Sequence, residues 1–200
     1  YGSEDATAQL DKLGGVGWQS RKARVKARIL DIANELIAVA AQRQIREGET
    51  ITVPEGLYEE FAARFPFPET EDQDKAIADT LGDLGSGKPM DRLICGDVGF
   101  GKTEVALRAA FVTVMSGAQV AVVVPTTLLA RQHYQRFTER FAGLPVKVAQ
   151  LSRMVGAKDT AQIKTDLNDG KIDIVVGTHA LLGKGVGFKH LGLLVIDEEQ

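Results

Sequence analysis

Gly96-Asp97-Val98-Gly99-Phe100-Gly101-Lys102-Thr103 is the stretch of this chain whose residue types and spacing most directly imply chemistry. It satisfies the Walker A pattern, with a short apolar run before it and a helical stretch after it, which is the context the pattern requires. Its glycines let backbone N–H groups close around the α and β phosphates of a nucleotide, and the helix start adds unpaired N–H groups and the positive end of a dipole. Lys102 adds a point charge toward the β and γ phosphates, and Thr103 offers a hydroxyl to Mg2+. The plainer reading, a simple strand-to-helix turn, does not require all of these letters at once.

A second segment, Gly82-Asp83-Leu84-Gly85-Ser86-Gly87-Lys88-Pro89, spells much of the same pattern. Pro89 decides against it, because proline brings neither a hydroxyl for a metal nor an N–H for a phosphate. No apolar strand precedes this segment and no helix follows it, so it reads as a surface loop.

The complementary half of a nucleotide site is acidic and lies at the end of a core strand. Leu193-Leu194-Val195-Ile196 followed by Asp197-Glu198 fits that description and reads as Walker B. Asp197 would hold Mg2+, commonly through water, and Glu198 would orient or deprotonate the attacking water. An acidic strand end is by itself usually a solvated edge; the P-loop gives it weight. Gln73, at the start of a helix after Phe65 and Phe67, has an amide able to donate to and accept from adenine, although a lone helical Gln is ordinarily a surface residue.

The elements that must position these groups follow from periodicity. Apolar runs at 93–95, 120–124, 146–151, 172–176 and 193–196 alternate with helical stretches at 102–115, 127–141 and 158–168. This βαβ repetition predicts an α/β fold with a parallel sheet covered on both faces. Gly117, Gly143 and Gly170 each follow a helical stretch, as helix stops do.

Upstream, Trp18 to Arg46 contains no Gly or Pro, and Val25, Ile29, Ile32, Leu36, Val39 and Ala40 recur at helical spacing. One long amphipathic helix is expected, stopped at Gly48. Its first half carries Arg21, Lys22, Arg24, Lys26 and Arg28, either a solvated face or a contact for DNA or a partner. Residues 1–17 are polar and Gly-rich and read as a lead-in. Between Gly48 and Pro68 lie a short 51–53 stretch, a brief helix near 58–64 and the Phe65-Pro66-Phe67-Pro68 run, after which Thr70 can cap a helix reaching about Leu81.

The chain has 200 residues, 44% of them hydrophobic, enough for one α/β domain with an appendage. Lys and Arg total 24 against 27 Asp and Glu, a net charge of -3, so no bulk electrostatic pull toward nucleic acid exists, which leaves local phosphate contacts open. A single cysteine, Cys95, excludes an internal disulfide and reads as a small buried hydrophobe, which suits a reducing cytoplasm. No apolar run approaches bilayer-spanning length, and residues 1–20 lack the apolar core of a signal peptide.

Together, Phe65-Pro66-Phe67-Pro68-Glu69-Thr70-Glu71-Asp72-Gln73, the P-loop, Pro125-Thr126-Thr127-Leu128-Leu129-Ala130, Gly177-Thr178-His179 and Asp197-Glu198-Glu199-Gln200 resemble superfamily 2 helicase motifs Q, I, Ia, Ib and II, in order and spacing. Within that superfamily the wording of residues 90–106, and of Leu10 to Gly15 ahead of Trp18, is most similar to the bacterial transcription-repair coupling factors. RecG-type fork-remodelling helicases share the motor but usually carry a small residue where Phe100 stands. Phe100, Glu104 and the lead-in favour the former.

The resemblance covers essentially the whole chain and implies a RecA-like P-loop NTPase lobe. It implies an ATP- and Mg2+-dependent translocase on double-stranded DNA, with RNA polymerase and excision-repair proteins as partners. Nucleotide contacts are then expected from Phe65, Gln73, Gly96, Gly99, Phe100, Gly101, Lys102, Thr103 and Glu104, with Thr103 and Asp197 on the metal and Lys102, Asp197 and Glu198 in catalysis. DNA backbone contacts are expected at Thr126, Thr127, Thr178 and His179, since loops after parallel strands gather at one edge. For the Thr pair an ordinary helix cap competes with phosphate contact. His133 and His190 read as surface or packing residues.

By the same resemblance, residues 1–17 are the tail of a preceding polymerase-binding domain or a linker, 18–48 a relay helix, and 49–200 the first motor lobe, ending at motif II. A second lobe with its arginine finger would lie outside these residues, so nucleotide binding without meaningful turnover is expected, together with an apolar sheet edge or face prone to self-association. Two other readings compete. One is a non-catalytic DNA or protein interaction module; the other is a P-loop enzyme unrelated to DNA, such as a small-molecule kinase.

Overall fold

The computed structural model describes residues 14–52, 56–97, 99–183 and 185–197. The lead-in over residues 1–13, Val53, the P-loop Val98, and the Glu198-Glu199-Gln200 end of the acidic strand motif lie outside the described residues. The chain divides into two compact units, one running to Arg46 and the other starting at Glu47.

In the first unit, α1 spans Val16–Ile45, close to the predicted range, and Arg46 ends it in an extended conformation. No described residue of α1 is buried. Gly48 has a different role from the predicted helix stop. A Cβ there would meet the Lys88 carbonyl carbon at 2.8 Å and the Pro89 nitrogen at 2.9 Å. Its N–H donates to Gly87 O at 2.8 Å, so the glycine allows two backbone segments to touch.

The second unit begins with a connector that is part of the core. Ile51 is buried, and its N–H donates to Leu84 O at 3.0 Å. In α2 (Leu57–Ala63), Phe61 stacks on Phe111 with ring centroids 4.2 Å apart and tilts against Phe141 at 5.1 Å. Next, α3 spans Glu71–Leu84, beyond the predicted end near Leu81. Burying Leu84 outweighs the roughly 1 kcal/mol that a glycine in the last turn costs. The segment 82–88 is therefore half helix and half loop.

The sheet is fully parallel, in the order β2-β3-β1-β4. Its strands are β1 (Gln119–Val123), β2 (Val148–Leu151), β3 (Ile174–Gly177) and β4 (Leu191–Ile196). Helices α4 (Lys102–Met115), α5 (Thr127–Arg140) and α6 (Ala157–Asn168) agree with the predicted stretches to within a residue. Strand side chains alternate between two cores, as a pleated sheet requires. Val120, Val122 and Val124 pack with α2, α4 and α5, whereas Ala121 and Val123 pack with Leu151, Leu167 and Val175 on the α6 side. Gly117, Gly143 and Gly170 follow α4, α5 and α6 with φ of +86°, +80° and +73°, the left-handed conformation of helix stops.

Gln119 is a buried polar clip that periodicity does not reveal. Its Nε2 donates to Leu167 O (2.9 Å) and Ile172 O (2.7 Å), and its Oε1 accepts from His190 N–H (3.0 Å). Ile172 O and His190 N–H sit at the entries to β3 and β4, and Leu167 O lies in the last turn of α6. His190 itself is on the surface, its Nε2 2.7 Å from Glu49 Oε2.

Two expectations need correction. Residues 93–95 form no strand; residues 91–97 belong to no helix or ladder, and Leu93 is 85% exposed. Cys95 is likewise exposed rather than buried. An apolar run becomes a strand only when a neighbour takes its hydrogen bonds, and that pairing is a tertiary event. On β4, the end strand of the sheet, Leu191, Leu194 and Ile196 are exposed, with Leu194 and Ile196 in register with Ala121 and Val123. Among the described residues no helix is long and apolar enough to cross a membrane.

Candidate nucleotide site and strand-end surface

The P-loop turns into α4 at Gly101, whose φ of +73° lies in the left-handed region. The conformation favours glycine, and a Cβ at this position would have to displace the Gln73 amide from its place against the loop. Phe100 N–H donates to Asp97 O (3.3 Å) and Glu104 N–H to Gly101 O (2.8 Å), closing the turn onto the helix. The Lys102 ammonium lies among the loop's own carbonyls, donating to Gly96 O and, at 3.0 Å, to Asp97 O. Thr103 follows in the first turn of α4.

Gln73 joins the loop from the side. Thr70 and Gln73 form a capping box: Thr70 Oγ1 accepts from Gln73 N–H (3.2 Å), and Gln73 Oε1 accepts from Thr70 N–H (2.9 Å). Its Nε2 donates to Phe100 O at 2.8 Å. A carboxamide has two N–H bonds and two acceptor sites, so each end of Gln73 retains one more hydrogen bond for a base edge. Phe65 and Phe67 stand beside this segment as an edge-to-face pair with centroids 5.7 Å apart, and Phe67 is exposed.

Glu104 is placed elsewhere. It is 4% exposed, and its Oε1 accepts from Arg108 Nε (2.9 Å) and from Arg140 of α5 (2.9 Å). Arg108 also pairs with Glu69, and the Arg140 guanidinium lies over the Phe61 ring at 4.2 Å. Burial acts to lower the Arg108 pKa, but hydrogen bonds to Glu104, Tyr58 and Glu69 outweigh it and hold the guanidinium above its usual range. Glu69 is held below the usual carboxylate range, first by the Arg108 hydrogen bond and next by its own backbone N–H. The network ties the Phe65–Gln73 segment to the helix that starts in the P-loop and to α5.

On the acidic side, Asp197 N–H donates to Val123 O at 3.0 Å, extending the β1–β4 ladder by one residue. Helix α4 packs on both β1 and β4, the strand that Asp197 follows. His133 of α5 lies 2.8 Å from Asp197 Oδ2 through Nε2. Sequence reasoning treats this histidine as a surface or packing residue. The signal that could have found it is its place on the buried stripe Ala130-His133-Phe137, where a polar residue demands a partner.

Because every strand runs the same way, Thr126 after β1, Thr178 after β3 and Asp197 after β4 emerge at one sheet edge. Thr126 caps α5, its Oγ1 accepting from Leu129 N–H at 3.2 Å, and Thr127 is the first residue of that helix. Thr178 precedes a 3-10 turn (His179–Leu182) and makes no side-chain cap, and His179 is exposed. Among the described residues no three His, Cys, Asp or Glu side chains gather into a metal cage. Mg2+ at nucleotide sites needs no such cage; it takes one or two protein oxygens, phosphate oxygens and water, and Thr103 with Asp197 is a donor set of that kind.

A family model described as DEAD/DEAH box helicase matches residues 70–200, which include the P-loop and the whole sheet. The chain belongs to that family. This helicase-family chain is 51% identical to the transcription-repair-coupling factor of Haemophilus influenzae, over 99% of its own length and 17% of the relative's. It is 52% identical to the factor of the same name from Rickettsia bellii, over 100% of its length and 18% of the relative's. The chain thus spans about a sixth of the curated relatives it matches. Among solved structures, RecG bound to a three-way DNA junction is 41% identical over 81% of this chain and 22% of that one, with a TM-score of 0.76. The parallel sheet flanked by helices is therefore a RecG-like helicase motor fold, preceded here by the long helix α1.

Proposed function

We propose that this chain is the first motor lobe of an ATP-driven translocase on double-stranded DNA, of the transcription-repair coupling type. The observation that carries the reading is a Walker A loop opening α4, with the acid-ended strand β4 packed on that same helix. In this reading Lys102 and the N–H groups of residues 96–103 bind the phosphates, Thr103 and Asp197 hold Mg2+, and Phe65 and Gln73 face the base. Mg2+ bound there would neutralise charge on the phosphate oxygens. Glu198 orients or deprotonates the attacking water.

Thr126, Thr127, Thr178 and His179 contact the DNA backbone with little sequence preference. The domain assignment is a tail or linker over 1–17, a relay helix over 18–48 and the motor lobe over 49–200. RNA polymerase and excision-repair proteins are the partners of the whole protein, and its place is the cytoplasm. Identity of about half to coupling factors along essentially the entire chain supports this over other motors.

The test is a titration of a fluorescent ATP analogue with Mg2+, comparing the parent chain with Lys102→Ala, followed by gel shifts on linear duplex and on a three-way junction. Loss of nucleotide binding in the variant and equal affinity for both DNAs is the expected result. Nucleotide affinity indifferent to Lys102 would sink the reading. The likeness to RecG supports a fork-remodelling alternative, and a strong preference for the junction would favour it.

A further inference from the structure

His133 is the buried group on α5 for which the scheme above has no use. Its side chain is almost fully enclosed, and Nε2 lies 2.8 Å from Asp197 Oδ2. A carboxylate only accepts, so Nε2 carries the hydrogen and donates. Nδ1 is also buried and has no hydrogen-bond partner among the described residues. His133 thus presents Nε2–H to a single carboxylate oxygen.

The rest of α5 fixes where that donor sits. Ala130 and Phe137, on the same stripe, are buried with no exposed surface, and Phe137 packs parallel to Phe141 with centroids 6.2 Å apart. At the C-terminal end, Arg140 is tied to Glu104 at 2.9 Å. The helix can therefore not rotate His133 away without opening the core and breaking a buried ion pair. Asp197, in contrast, sits one residue past β4, where only its N–H bond to Val123 continues the ladder. Its carboxylate direction depends on what holds the side chain.

We infer that His133 is a positioning residue for Asp197, its Nε2–H holding Oδ2 so that the carboxylate keeps one orientation toward Mg2+ at the nucleotide site. This rests on the nucleotide-site reading above. Outer hydrogen-bond partners of metal-side carboxylates act in this way, and their removal typically costs about tenfold to hundredfold in metal affinity. His133 also lies two helical turns from Thr126, so the same contact joins the carboxylate to the helix whose start faces the strand-end surface.

The experiment uses the 200-residue chain. Binding of a fluorescent ADP is measured without metal and across an Mg2+ titration for the parent, His133→Leu and His133→Gln. Leucine fills the space without a donor, and glutamine restores an N–H at similar reach. The expected result is that His133→Leu raises the Mg2+ concentration at half effect by about tenfold or more, leaves metal-free affinity within about twofold of the parent, and is largely rescued in His133→Gln. Nitrogen-15 correlation spectra of the His133 ring provide a readout independent of nucleotide, with the Nε2–H tautomer expected and a changed Nε2 signal in Asp197→Ala.

Equal Mg2+ dependence in parent and His133→Leu, parallel loss of metal-free binding, failure of glutamine to rescue, or an Nδ1–H tautomer would each overturn the inference. A parent chain that shows no Mg2+-dependent nucleotide binding would overturn the nucleotide-site reading, and the inference with it. A normal parent with an indifferent His133→Leu overturns the inference alone.

Discussion

Two segments of this chain, 82–88 and 96–102, share the spacing of glycines ahead of a lysine, and the fold puts them at opposite ends of helices. Gly82 lies inside α3 and Lys88 follows its C-terminal end, where helix carbonyls concentrate negative partial charge. Lys102 is the first residue of α4, where N–H groups and positive partial charge face the loop. The first lysine's loop is occupied structurally: Gly87 O accepts from Gly48 N–H, and Lys88 N–H donates to Ser86 Oγ at 3.2 Å. Spacing of glycine and lysine is thus a weak signal until the direction of the adjoining helix is known.

The comparison can be broken first through the groups that anchor each helix. Glu104→Ala leaves Arg108 and Arg140 buried without their shared carboxylate, and a loss of about 3–5 kcal/mol is expected by urea unfolding. Arg92→Ala removes the exposed contacts to Asp79 and Asp83 on α3, and its unfolding midpoint is expected to stay near the parent's. A comparable loss at both sites would mean that α4 is no more firmly anchored than α3.

Next in size is the contrast between the lysines themselves. Lys102→Ala is expected to weaken ATP analogue binding by roughly tenfold to hundredfold, the worth of charge-assisted hydrogen bonds. Lys88→Ala is expected to leave the same binding curve unchanged. An effect at Lys88 matching that at Lys102 would restore the upstream segment as a phosphate loop.

Smaller again is the glycine comparison. Gly101→Ala and Gly87→Ala both force an L-residue to positive φ, at about 1–2 kcal/mol each. Only Gly101→Ala also collides with Gln73, so it alone is expected to reduce nucleotide affinity. Equal nucleotide affinity in the two variants would remove Gln73 from the site.

The smallest effect is acid sensitivity at Glu69. Its folded pKa lies below the usual value of 4.5, so the unfolded chain binds the extra proton first. Its contribution is complete above pH 4.5 and is lost as pH falls through the lower folded value. Glu69→Gln is expected to flatten that part of the acid limb in a pH series of thermal melts and to leave the slope of stability against pH at pH 7–8 the same as the parent's. An unchanged acid limb would show that the Arg108–Glu69 pair adds nothing.

Much of the motor lobe could be read along the chain because its signals are local. Helices at 102–115, 127–141 and 158–168 are set by apolar spacing, and their glycine stops lie immediately after them. The Thr70–Gln73 capping box lies within four residues, and Thr126 caps α5 in the same short-range manner. What escaped depends on partners distant in sequence. Leu93–Cys95 has strand composition, yet composition cannot supply the neighbouring strand whose hydrogen bonds would make it one. Gly48 has helix-stop chemistry, yet its neighbour is Lys88.

The amino-acid sequence by itself determined which loop could grip a phosphate, which strand ends in acid, and that a parallel α/β sheet would hold them, since glycine conformations, side-chain chemistry and hydrophobic period are properties of short stretches. Only the tertiary structure decided that Glu104 is buried between Arg108 and Arg140, that Gln119 clips two strand entries, and that His133 meets Asp197. Those pairings arise where desolvated polar groups must find partners across packed elements. Such partners are chosen by the geometry of the packing and are not encoded in any one segment.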